Sequence, residues 1–332
     1  MGEHNNAMCN FFSRTQYYAD FWNGVLFGGR QEIKPEELVE RSGNYYMSVK
    51  QGDTSGKKKT SERRRDVLMK KIGAADDDIL LGMEIMDSLD YTMTVRKLLY
   101  DAKEYQRQIR GVIQQNREKA KRVREKNKGK KKLLREKYWD NSGEFLYGFR
   151  REDKITPLIT VALYCGTENY DGCNDLKDVL KLEKIRTEYR ELVAGYPTNV
   201  IILRQLDEKN FRTGLRELIG VMKRCSDNKE LLQYYEDNKG RFASLDETAV
   251  ETISVMLGNK NIIECRQEEG GIDMCKAFDD VRNEGRIEGK IEGEERYAKL
   301  TRELCLRERM ADIIEAAGNV EFRNRLYREF SL

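Results

Sequence analysis

The chain has 332 residues, of which 36% are charged, with a formal net charge of +3 and a mean hydropathy of −0.77. That length exceeds one ordinary domain and leaves ample sequence for a core, while no run approaches the roughly 18 apolar residues of a membrane-spanning helix. Seven cysteines without a CxxC pair, and a single histidine at position 4, speak against a Cys/His zinc centre and against histidine-based triads or general bases. Chemistry in this chain is therefore expected to run on carboxylates, lysines or a bound metal. The opening MGEHNNAMCN has no cationic stretch followed by an apolar one, so a cytoplasmic location is expected.

Phe11–Phe27 carries an aromatic stripe, Phe12, Tyr17, Tyr18, Phe21 and Trp22, and predicts one amphipathic helix stopped at Gly28-Gly29. Ile33–Val39 predicts a short helix with Pro35 in its first turn. Residues 43–61 are polar and read as a loop, with a first strand at Tyr45–Lys50. Arg65–Ile72 and Ile79–Met86 are short apolar runs around GAADDD, the pattern of an antiparallel hairpin. Asp66 near the start of the first run and Glu84 near the end of the second would then be neighbours. From Tyr91 the period becomes helical, through Met93, Arg96, Leu99, Tyr100 and Tyr105.

That helix runs into residues 117–137, where twelve Lys and Arg stand against three Glu, a net +9. The whole chain is +3, so the remainder sums to −6, and this segment is a discrete cationic element suited to phosphates. Ile155–Cys165 predicts a buried strand, Asp171–Leu182 a helix, Thr198–Leu206 a strand and Asn210–Cys225 a helix. Strands alternating with helices imply a mixed α/β sheet with helices on both faces. Beyond Asn228 only helices are expected: Leu231–Asn238, Asp246–Leu257, Asp273–Val281, a charged linker with Gly285, Gly289 and Gly293 four apart, and an apolar stripe in Leu300–Leu332. The division expected is 1–226 for the α/β domain and 227–332 for an all-helical C-terminal region, whose stripe is a candidate surface for homo-oligomerisation.

Asp on one strand, Glu two residues before a motif position on the next, then a helix, resembles the PD-(D/E)XK nucleases. The wider wording, in Tyr18–Gly29, Ile33–Leu38, RRRDVLMKK, LLGMEI, YTMTVRKLLYDAKEY, EFLYGFRREDKITPLITVALYCG and DMCKAF, resembles the bacterial recombination-promoting nuclease (Rpn), transposase-like branch. The resemblance implies a metal-dependent DNA endonuclease associated with recombination, with Mg²⁺ or Mn²⁺ held by Asp66, Glu84 and the backbone carbonyl of Ile85. Hard oxygen ligands suit such an ion, which neutralises phosphate charge and activates water. The chain departs from the pattern at Met86, where the family carries Lys or Gln; a thioether neither donates a hydrogen bond nor ligates hard cations well. Arg96 on the following helix is the expected replacement in the catalytic set, with Lys70 and Lys71 as other candidates. Lys121, Arg122, Arg124, Lys130, Lys131 and Lys132 are the expected DNA contacts. The other reading open to the sequence is a nuclease-fold protein that binds DNA or a partner and no longer cleaves.

Overall fold

The computed structural model describes residues 2–50, 58–73, 78–130, 137–258, 290, 291 and 293–330, and of 44–50 and 58–64 the backbone alone. The chain divides into two compact units, Met1–Lys223 with Glu251–Met256, and Arg224–Val250 with Leu257–Leu332.

The first unit is built on a five-stranded mixed sheet of β1 (Leu38–Glu40), β4 (Val67–Lys71), β5 (Ile79–Met86), β6 (Leu158–Tyr164) and β7 (Val200–Ile202), in that spatial order. The predicted hairpin is its centre: β4 and β5 run antiparallel with Val67 opposite Met83 and Lys71 opposite Ile79. β5 pairs in parallel with β6, Glu84 opposite Ala162, and the return passes through helix α3 (Met93–Lys126), as a parallel neighbour requires. β5 is buried along nearly its whole length, which is why it reads as a continuous apolar run rather than an alternation.

Alternation along β5 sends Leu81, Met83 and Ile85 to one face and Gly82, Glu84 and Met86 to the other. On the N-terminal side, α1 (Glu3–Ser13) and α2 (Thr15–Phe27) contribute Phe11, Phe12, Tyr18, Phe21 and Trp22, all fully buried. The Tyr18 hydroxyl donates to the Leu81 carbonyl at 2.8 Å, fixing α2 to the sheet. The expected single helix is two: Arg14 leaves helical geometry at ψ 121°, next to Ser13, whose hydroxyl turns back to the Asn10 carbonyl. Gly28 stops α2 in the left-handed region at φ 60°, the termination its sequence predicts.

Helix α3 lays Met93, Thr94, Lys97, Tyr100, Asp101 and Glu104 inward along one stripe at helical period, so four of these six are charged or polar. By the 1.5 Å rise it is about 50 Å long.

Several expectations are corrected. Ile33–Val39 is a single 3₁₀ turn, Pro35–Glu37, followed by β1, because Leu38–Glu40 finds a sheet partner in β4 and pairing outweighs local preference. Within residues 43–61 the expected strand at Tyr45–Lys50 is present as β2 (Asn44–Lys50), but the expected loop after it enters β3 (Lys58–Arg64), which pairs antiparallel with β2, Asn44 opposite Arg64. Residues 171–182 hold only the 3₁₀ turn Leu176–Val179, capped by Asp175 and left at Leu180 in extended geometry. The strand expected over 198–206 is three residues long, Val200–Ile202, and tightens into a 3₁₀ turn at Leu203–Gln205.

In the second unit, Asn228–Asp237 and Lys239–Phe242 are helical and join Tyr234, Tyr235 and Phe242 in edge contacts. Residues 293–306, Met310–Gly318 and Val320–Glu329 form helices around Leu300, Leu304, Ala316, Leu326 and Tyr327. Of the apolar stripe read from the sequence, Leu304 and Leu326 are buried, whereas Leu306, Met310 and Ile314 are exposed. The helix expected at Asp273–Val281 lies outside the described residues, as do Gly285 and Gly289. Among the described residues no helix is long and apolar enough to cross a membrane.

Candidate active site at the open end of the central hairpin

Asp66 immediately precedes β4, one step beyond the Val67–Met83 pair, so the hairpin register sets it across from Glu84. Its carboxylate accepts a hydrogen bond from the Ile85 N–H at 2.8 Å. Because a strand residue's N–H and C=O leave on the same side, the Ile85 carbonyl turns toward that same end of β4. Asp66 is partly exposed and lines a cleft of about 230 Å³ with Glu40, Arg41 and residues of α1.

Glu84 is fully buried, and its partner Arg65 is among the residues lining this cleft. The Arg65 guanidinium, also buried, stands 3.2 Å from it through Nε, and Arg96 reaches its other oxygen at 3.8 Å. Neither Glu84 oxygen accepts a hydrogen bond among the described residues. Burial pushes its carboxyl up to about 8, with the Asp66 charge adding to the effect and Arg65 and Arg96 opposing it.

Arg65 anchors a wider network. Its Nη1 donates to the Thr160 hydroxyl at 3.0 Å, its Nη2 pairs with Asp101, and its guanidinium lies over the Tyr100 ring. Asp101 in turn accepts from the Thr160 hydroxyl at 2.6 Å, the Tyr196 hydroxyl at 2.7 Å and the Lys97 ammonium at 3.1 Å. Burial works against the Asp101 charge, but Arg65, Thr160, Lys97 and Tyr196 together hold its carboxyl below the usual range. Gly82 makes room for this: a Cβ there would stand 2.5 Å from Arg65 Nη1 and 2.8 Å from the Thr160 hydroxyl.

The structure thus brings Asp66, Glu84, Ile85 and Arg96 together, and separates Met86 from them. Met86 shares the Glu84 face of β5 but is 3% exposed in an apolar cluster with Met93, Ala162 and Tyr164. Arg96 divides its guanidinium between Glu84 and Asp90, the latter at 2.6 Å. Lys70 is paired with Asp78 near the far end of the hairpin and does not serve the site. The residues the sequence reading missed are Arg65, Lys97, Asp101, Thr160 and Tyr196, with Glu40 and Arg41 at the rim. Lys97 and Asp101 carry one faint signal, their four-residue spacing on the face that also carries Met93 and Tyr100. Nothing local distinguishes Arg65 from Arg63 or Arg64.

Two adjacent carboxylates, one of them buried without a hydrogen-bond donor, are the hard-oxygen set that a divalent cation takes. The residues present fit such an ion, with Arg65 and Arg96 partly balancing their charge. A second acidic grouping, Asp140, Glu144 and Glu152, lies within 4.8 Å, but Arg150 pairs with Asp140 and Glu152, and the Asp140 and Arg151 N–H groups occupy Glu144.

Glu84 gives a pH signature. Its folded pKa is raised above the unfolded value, so its contribution to stability is full below about pH 4.5 and is lost as pH rises through about 8. In EDTA the protein is expected to lose stability to urea between pH 5 and 8.5, and Glu84→Gln to flatten that loss. Asp101, shifted the other way, acts only in strong acid and leaves this window clear. An identical pH profile in the Gln variant would show that Glu84 is not the titrating group.

No protein-family model, curated protein or solved structure matches this chain.

Proposed function

We propose that this protein is a metal-dependent endonuclease acting on DNA, of the PD-(D/E)XK kind that the Rpn-like wording suggests. The observation that supports this best is the pairing of Asp66 with a buried, hydrogen-bond-free Glu84 at the open end of the hairpin, with Arg65 and Arg96 at the same carboxylate. Asp66, Glu84 and the Ile85 carbonyl would hold Mg²⁺ or Mn²⁺, which supplies charge neutralisation at the phosphate and lowers the pKa of a bound water.

The chain's own residues define the rest. The Ile85 N–H orients Asp66, whose side chain lines the cleft. Arg65 holds Glu84 from the protein side, and Asp101 and Thr160 hold Arg65, so the acid is set by a rigid network rather than by a loop. Arg96, a third exposed, is the cation with access both to Glu84 and to solvent, and is suited to steady charge on a phosphate oxygen. Glu40 and Arg41 line the approach to Asp66.

The expected result is nicking of supercoiled plasmid that requires Mg²⁺ or Mn²⁺ and falls at least about 10²-fold in Asp66→Ala, the scale for losing one preorganised group. Equal nicking by that variant would remove the site from the reaction. A second reading, a nuclease fold that binds DNA without cutting it, is favoured by Met86, whose packing puts a thioether where the motif has a donor. Metal binding without cleavage by the wild type would select it.

A further inference from the structure

Helix α3 carries a second feature, about 30 Å along its axis from Arg96 by the helical rise. Arg117, Lys121 and Arg124 recur at four and three residues, which places them on one stripe of the helix, and Lys128 follows just past its C-terminal end, all exposed. None of the four makes an ion pair among the described residues. The stripe forms one wall of a groove of about 780 Å³, whose other wall presents Tyr138, Trp139 and Phe145. A second groove shares Arg117 and Lys121 and carries the stripe back to Arg110.

The aromatic wall is built, not incidental. The Tyr138 hydroxyl donates to the Asn116 side-chain carbonyl at 2.7 Å, and the Arg150 guanidinium lies 5.0 Å from its ring. Asn116 is buried and donates to the Gly148 carbonyl at 3.1 Å and to Asp153 at 2.6 Å, which pins the wall to α3. Trp139 stands edge-on to Tyr138 at 4.8 Å, and Phe145 is 70% exposed although it belongs to a short capped helix. A large aromatic held at that exposure beside unpaired cations forms a surface with two kinds of contact.

We propose that this groove binds an unpaired nucleic-acid strand, with phosphates along the α3 stripe and bases stacked on Trp139 and Phe145. Duplex DNA offers the same phosphates but keeps its base faces inside the stack, so it satisfies the cations and leaves the rings bare. An unpaired strand satisfies both walls, because every base has a face to stack. The inference takes its polyanionic ligand from the nuclease reading, but its geometry is independent of the carboxylate site. It gives the cationic segment a substrate class: a single-stranded region near the cut, rather than the duplex alone.

The test is anisotropy of labelled dT20, rU20 and a 20-base-pair duplex in EDTA, with protein carrying Asp66→Ala so that no strand is cut. The expected result is tighter binding of an unpaired strand than of duplex, with emission of Trp139 quenched on binding; Trp22, the second tryptophan, is fully buried and serves as a constant background. The preferred sugar between dT20 and rU20 identifies DNA or RNA as the source. Trp139→Ala should weaken unpaired-strand binding about 5- to 150-fold and leave duplex binding unchanged. Phe145→Ala, at an exposed position that the fold does not need, should act in the same direction. Replacing the four stripe cations by Gln should flatten the dependence of log affinity on log salt by up to about three units for a single strand. Duplex preference, or full affinity in both aromatic variants with their melting curves unchanged, would overturn the proposal. Plasmid nicking with neither dT20 nor rU20 bound would overturn the groove and leave the nuclease; binding of either strand without nicking would do the reverse.

Discussion

Arg65→Met is expected to destabilise the protein by about 3–5 kcal/mol, the cost of removing one partner from a buried ion pair. The reason lies in what stays behind. Glu84 and Asp101 are both buried, and Arg65 is the one guanidinium that touches both. Without it Glu84 keeps only Arg96 at 3.8 Å, while Asp101 keeps Lys97, Thr160 and Tyr196. At and above about pH 8, where Glu84 ionises, the larger share of the loss should therefore fall on Glu84, which would be protonated to a higher pH. Set against a typical domain stability of about 5–15 kcal/mol, a loss of that size is readily measured by urea denaturation. Combining Arg65→Met with Glu84→Gln should cost less than the two single changes added, because the charge left stranded by the first is removed by the second. Arg65→Lys should recover little, since an ammonium cannot reach Glu84, Asp101 and Thr160 with one planar fork. A loss below about 1 kcal/mol for Arg65→Met would mean that the network does not hold the hairpin end together.

Met86→Lys, the change that would supply the lysine of the nuclease motif the sequence resembles, is expected to unfold more than it repairs. Position 86 sits among Met93, Ala162 and Tyr164 at 3% exposure, with Leu89 and Tyr170 packed around it. An ammonium there must be desolvated or must deprotonate, and the nearest acid on its face of β5, Glu84, is already faced by Arg65. A destabilisation of about 3 kcal/mol or more is expected, with no gain in nicking. Met86→Leu, which preserves volume, should cost less than about 1.5 kcal/mol and serves as the packing control. A Met86→Lys protein as stable as the wild type that cuts faster would show that the side chain turns out of the cluster into the site.

Much of this architecture was written locally. Ile79–Met86 is a strand because eight residues with a single charge among them have only the interior of a parallel-bordered sheet to go to. The hairpin followed from two apolar runs with turn chemistry between them, and with it the neighbourhood of Asp66 and Glu84. Met93–Lys126 is one helix because its period is unbroken and nothing in it stops a helix; the charge excess of 117–137 is a matter of counting. Arg96 beside Glu84 was expected from the resemblance, and the structure places it 3.8 Å from that carboxylate.

What the sequence could not decide depends on partners far along the chain. Ile33–Val39 and residues 58–61 were not expected to be strand because a strand is completed by its neighbour, and β1 and β3 are elements whose partners, not their propensities, define them. Arg65 was passed over because three successive arginines look alike until the fold buries one, and its contacts lie at Glu84, Asp101 and Thr160, up to 95 residues away. Lys97 and Asp101 drew no notice because hydrophobic periodicity treats every charge as an outside residue. Here the inward stripe of α3 is itself charged, and burial is tolerated because each group meets an opposite charge or a hydroxyl. Met86 marks the same divide: its identity removes the motif donor, but only the packing of β5 against α3 and β6 decides that the position belongs to the core. Local sequence selects which elements form and which residues share a face, whereas the charge state and role of a buried group are set by Coulomb interactions and desolvation, which act through space.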